Sequence, residues 1–165
     1  MLSIAATARV SPLADIEDSQ RGSRIVIADD VIIDAFVKIK PAGGMGDVVI
    51  GRCSVINAGC VLYTGNGIYI GSNVLIAANC TLAPTNHAFD DPNTPIRTQG
   101  FQPSRGGIVI GDDVWIGANC VLLDGAVIGS GSVIGAGSLV RGSLPPFCLA
   151  HGSPLVVHGW RGRQR

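Results

Sequence analysis

An aliphatic residue returns every six positions along most of this chain. From Ile110 the spacing runs without slippage through Ile116, Leu122, Ile128 and Ile134 to Val140. The same unit opens at Ile27, Ile33 and Ile39, at Ile50, Ile56 and Leu62, and at Ile70, Ile76 and Leu82. Each unit reads aliphatic residue, often Gly, Ala or Asn, two variable residues, a small residue or Val, and one more. Such self-similarity has to be read before anything else, because it decides the fold. A period of six suits neither a helix nor a plain alternating strand. It suits a short strand plus a turn, one flat side of a triangular coil, with the aliphatic residue pointing inward. Three sides close a coil of about 18 residues, and stacked coils pair strand to strand in parallel. The expected fold class is therefore all-β, a parallel β-helix of about five coils.

The interruptions are as informative as the repeat. Two residues are added near Gly65-Asn66-Gly67 and five near Gly43-Gly44-Met45-Gly46-Asp47. Between Leu82 and Ile110 there are 22 extra residues, within TNHAFDDPNTPIRTQGFQPSRGG. A polar, Pro-containing loop of that length in a regular solenoid is where function is expected. The organisation expected is an N-terminal segment over residues 1–24, a β-helix over 25–144 with the inserted loop at 85–107, and a C-terminal tail over 145–165.

Composition narrows the function. With 12 basic and 12 acidic residues the net charge is zero, which gives no basic face for nucleic acid. Residues 53–89 carry no Asp, Glu, Lys or Arg, yet small and polar residues interrupt them too often for a membrane span. The N-terminus lacks a basic stretch followed by a solid apolar run, so an unprocessed, cytoplasmic protein is expected. Cys53, Cys60, Cys80, Cys120 and Cys148 form no CxxC pair, and no metal is expected. Cys60, Cys80 and Cys120 each take the fifth place of the middle hexad in successive coils. They are expected to stack inward as small apolar side chains.

Hexads, a His in a long loop, and VWIG downstream together resemble the hexapeptide-repeat acyltransferases. The resemblance spans roughly residues 25–158. TNHAFDDPNTPIRTQGF, IGDDVWIGANCVLLDGAVIGSGSVIGAGSLV and the Pro145-Pro146 exit look most like the galactoside, maltose and polysaccharide O-acetyltransferase branch. It implies a left-handed β-helix, against the usual right-handed parallel connection. It also implies acetyl-CoA as co-substrate and a homotrimer with its sites between subunits. The implied reaction is acetyl transfer to the hydroxyl of a sugar or glycoside acceptor by direct attack. The alternative is N-acetylation of an amino-sugar nucleotide. A γ-type carbonic anhydrase would need three imidazoles around a metal, and the coiled body holds only His87. A non-catalytic scaffold would not need the inserted loop.

The resemblance also implies roles residue by residue. His87 matches the catalytic base that takes the acceptor's proton. Asp90, Asp91 or a backbone carbonyl could orient it. Trp115 ends its hexad, where a side chain points outward. It matches a Trp beside the coenzyme A arm, and packing against a subunit or loop is the other reading. Ala118 and Ala136 match positions lining that arm, although small turn residues are needed there in any case. A Lys usual in the family is absent, and Arg141 could supply the cation for the phosphates, as could Arg161, Arg163 or Arg165. Asn57 and Asn86 are candidate acceptor ligands, with Arg97 and Gln99 further candidates in the loop.

Overall fold

The computed structural model describes residues 1–162 as a three-sided prism of stacked coils. Face A is built from Leu2–Ile4, Ile25–Ile27, Val48–Ile50, Ile68–Ile70, Ile108–Ile110, Ala126–Ile128 and Ser143–Leu144. Face B is built from Arg9–Val10, Ile32–Ile33, Val55–Ile56, Leu75–Ile76, Trp115–Ile116, Val133–Ile134 and Cys148–His151. Face C holds Asp15–Ile16, Lys38–Lys40, Val61–Tyr63, Thr81–Ala83, Val121–Leu123 and Leu139–Val140. Within each face these strands pair in parallel and in register, so that Ile70, for example, lies between Ile50 and Ile110. This is a left-handed parallel β-helix, the architecture expected from the hexads.

All fifteen aliphatic residues of the repeat are at most 3% exposed. They form one continuous core with the fifth residues of the hexads, among them Val31, Val74, Val114 and the three stacked cysteines. The fourth residue of most hexads turns the corner. At Asp30, Phe36, Cys53, Asn73, Asn79, Asp113, Asn119 and Phe147, φ lies between +55° and +62°. Asn and Asp tolerate this left-handed conformation better than other non-Gly residues, which explains their recurrence at a place the sequence pattern left variable. Gly117 answers a different need. A Cβ there would sit 2.5 Å from the backbone N of Ala136 on the next coil.

Among the described residues the prism has six complete coils and two sides of a seventh, more than the five expected. The first comes from the segment 1–24. Leu2 pairs with Ile25, Arg9 with Ile32 and Asp15 with Lys38. Its hexads start at Ile4 and Val10, with Ala8 and Ala14 at the fifth place. The last two sides come from residues beyond Leu139–Val140. Val156–Trp160 then folds back antiparallel on Cys148–His151 and closes the end of face B. Among the described residues no helix is long and apolar enough to cross a membrane.

Candidate functional site

The inserted loop leaves face C directly after Thr81–Ala83 and folds back on itself. His87 and Phe101 form an isolated antiparallel bridge, with ring centroids 4.8 Å apart and planes tilted by 37°. The Ala88 N–H donates to Gly100 O at 3.0 Å, and the Gln102 N–H to Asn86 O at 2.8 Å. His87 is thus held by backbone on both sides while remaining exposed. It edges a pocket of about 280 Å³ whose other walls are Ala42, Gly43, Tyr63, Ala83, Thr85 and Phe101. The floor has to be small. Gly43 has φ +78°, and a Cβ on it would approach Thr85 Oγ1 to 2.8 Å.

Asp90 and Asp91 spend their carboxylates on the loop itself. Asp90 accepts from Gln102 Nε2 at 3.0 Å. Asp91 accepts from the Thr94 hydroxyl at 2.6 Å and the Asn93 N–H at 2.9 Å, and these bonds hold its carboxyl below the ordinary value. The ring of His87 packs instead on Phe101. Gln99 is likewise internal to the loop, donating to the carbonyls of Asp91 and Thr94 at 2.9 and 2.7 Å. Arg97 is exposed on the short 3-10 turn Ile96–Thr98.

Asp124 fastens the far end of the loop. It is 4% exposed, on the coil after the insertion. It accepts from the N–H groups of Arg105 and Gly107 at 2.7 and 2.9 Å and from Asn66 Nδ2 at 3.1 Å. No motif marks it, because its partners lie 17 to 58 residues away.

The other expected site residues are spread over the prism. Asn86 adjoins His87. Asn57 lies at the corner between faces B and C, across face C from the loop, and its Nδ2 donates to Ile76 O at 2.8 Å. Trp115 points outward from face B and is 50% exposed. With Asn73, Leu75, Asp113, Val114, Val133 and Arg161 it lines a cleft of about 440 Å³. Arg161 reaches this cleft from the C-terminal strand, its Nη1 2.7 Å from Asp113 Oδ2. Ala118 and Ala136 stack at the corner between faces B and C. Arg141 is elsewhere, past the end of face C, beside Leu139, Ser153, Pro154 and Leu155. Of the basic candidates, Arg161 therefore shares a cleft with Trp115 and Arg141 does not, while Arg163 and Arg165 lie outside the described residues. Among the described residues no group of three or more His, Cys, Asp or Glu side chains converges as metal ligands do.

Two of three comparisons with known proteins find matches. The family model described as bacterial transferase hexapeptide (six repeats) matches residues 107–142. Curated protein sequences yield no match. Solved structures do. AntD, an N-acyltransferase from Bacillus cereus, in complex with dTDP and 3-hydroxybutyryl-CoA, superposes with a TM-score of 0.81 at 26% identity. That alignment covers 98% of this chain and 84% of AntD. A serine variant of AntD in complex with dTDP-4-amino-4,6-dideoxyglucose and coenzyme A aligns over the same shares at 26% identity, with a TM-score of 0.79. The hexapeptide-repeat acetyltransferase VCA0836 from Vibrio cholerae, complexed with acetyl coenzyme A, gives a TM-score of 0.61 at 26% identity, covering 97% of this chain and 69% of that one.

Proposed function

We propose that this chain, a hexapeptide-repeat acyltransferase, moves an acyl group from an acyl-coenzyme A to the amino group of a nucleotide-linked amino sugar, with His87 as base. The observation that carries the reading is His87 on the rim of an aromatic-walled pocket, on a prism that aligns over nearly its whole length with an N-acyltransferase seen with a dTDP-linked amino sugar. The amine lone pair attacks the thioester carbonyl. His87 accepts the proton that the nitrogen sheds as the C–N bond forms. The tetrahedral intermediate then breaks its C–S bond, expels coenzyme A thiolate, and the thiolate recovers the proton from His87. The donor's arm lies along the corner of Ala118 and Ala136, beside Trp115, and its phosphates face Arg161.

His87 and the Trp115 cleft lie on different sides of one prism. The complete site therefore combines the loop of one subunit with the cleft of its neighbour in a symmetric trimer.

One observation favours the second reading, transfer to a sugar hydroxyl. A hydroxyl must be deprotonated as it attacks, so it depends on an imidazole such as His87 more than a free amine does. A thiol-release assay with acetyl-CoA separates the two, using dTDP-linked amino sugars, free amino sugars and amine-free glycosides. Transfer to the amino sugars is expected, and His87→Ala should lower kcat by about 10²–10⁴-fold. Transfer confined to amine-free acceptors would replace N-acylation with O-acylation. Full activity in His87→Ala would remove the histidine from the mechanism.

A further inference from the structure

The outer side of face C changes character along the prism axis. On the strand Lys38–Lys40 the two lysines flank buried Ile39 and both point outward. On the next strand Val61 and Tyr63 stand in register with Lys38 and Lys40. On the strand after that, Ala83 reaches the pocket that His87 and Phe101 close. Lys40 thus sits one strand, about 4.8 Å, from Tyr63 in the pocket wall, and Lys38 lies two residues further along the same strand. Each pairs with an exposed carboxylate of the first coil. Lys38 Nζ lies 3.0 Å from Asp15 Oδ2 and Lys40 Nζ 2.9 Å from Glu17 Oε1, with all four side chains at least 41% exposed. Exposed pairs of this kind hold their partners weakly. Lys ammonium groups on flexible stems can turn toward a phosphate. By contrast, Arg24 is tied to Asp47 through both Nε and Nη2.

From this placement we infer that Lys38 and Lys40 bind the diphosphate of a nucleotide-linked acceptor whose sugar ring occupies the Tyr63–Phe101 pocket. The inference rests on the acceptor class proposed above and adds where its anionic half lies. The sugar's apolar face packs on the aromatic walls, its amine faces His87, and its anomeric oxygen leads back over Tyr63 toward Lys40. Asp15 and Glu17 are displaced as the phosphates enter. The first coil therefore supplies carboxylates that compete with the substrate.

The test compares wild type with the double variant Lys38→Gln/Lys40→Gln and with Asp15→Asn/Glu17→Gln, which breaks the same ion pairs but keeps the cations. Two quantities are read for each protein. One is the Kd of dTDP. The other is the ratio of KM for a dTDP-linked amino sugar to KM for the methyl glycoside of the same sugar. The lysine variant should raise both at least tenfold, and the carboxylate variant should lower both about two- to threefold. Equal changes in the lysine and carboxylate variants would reveal a purely structural role and overturn the inference. So would dTDP binding that ignores the lysines, or no dTDP binding by wild type. Failure of wild type to acylate any amine, with dTDP binding still lost in the lysine variant, would count against the reaction and not against this site.

Discussion

The three stacked cysteines illustrate how much chemistry one repeat position can carry. Cys60 Sγ donates to Ala77 O at 3.1 Å, Cys80 Sγ to Gly117 O at 3.2 Å and Cys120 Sγ to Gly135 O at 3.2 Å. Val37 and Ser138 take the same position on the coils either side. The neighbouring thiols also shift one another's titration. For Cys80 the neighbouring Cys120 pulls the pKa down, but Cys60 and burial push it up, to about 11. For Cys120 the neighbouring Cys80 and burial both act upward. A raised pKa means the fold favours the neutral thiol. That stability is fully present below the ordinary thiol range and is lost as pH rises through about 11. The denaturant midpoint should therefore fall between pH 9 and 11, and Cys80→Val should flatten the fall. At pH 8 a thiol reagent should label Cys53, the exposed cysteine, and reach the other four only after unfolding. The inward stacking of these residues was legible in the spacing. The left-handed corner at the fourth position was not, because Phe36, Cys53 and Phe147 occupy it alongside Asn, Asp and Gly.

At the scale of elements, the inserted loop is ordered by a few fixed points, and Asp124 is the deepest of them. Buried carboxylates that accept several hydrogen bonds cannot be truncated without leaving their donors unpaired. Asp124→Ala should cost about 2–4 kcal/mol of stability. Limited proteolysis should then cut within residues 85–107 well before the coils, and kcat should fall because His87 and Phe101 lose their bridge. Asp124→Asn, which keeps an acceptor, should lose less on both counts. Proteolysis that begins in the coils would refute this anchoring role. The loop's existence and its His were readable because they break a strict period. Its internal architecture was not. Asp90, Asp91 and Gln99 look like site residues in the sequence, and their bonds to Gln102, Thr94 and the loop carbonyls appear only once the chain is folded. The first coil was overlooked for a different reason. Its hexads from Ile4 and Val10 put Ala8 and Ala14 where later coils have Val, Cys or Ser, and their outward residues are Arg9 and Asp15.

For the whole molecule, the decisive geometric fact is separation. His87 stands where the loop leaves face C, whereas Trp115 and Arg161 share a cleft on face B. In the proposed trimer each subunit contributes half of each site, the loop of one meeting the cleft of its neighbour. That arrangement makes two inactive variants complementary. His87→Ala spoils the loop half, and Trp115→Ala combined with Arg161→Gln spoils the cleft half. Unfolding and refolding an equal mixture should yield mixed trimers in which about one site in four joins an intact loop to an intact cleft. Thiol release should recover to about a quarter of the wild-type rate, while each variant refolded alone stays inactive. Sites contained within one chain predict no recovery at any mixing ratio. Recovery without refolding would mean that the subunits exchange freely in solution. A separate mass measurement by light scattering should give three times the 17.0 kDa of one chain. Tyr69, Val109 and Val127 on face A and Leu75 on face B stand partly exposed in the single prism. In the proposed trimer, neighbouring subunits would supply the surfaces that cover such residues.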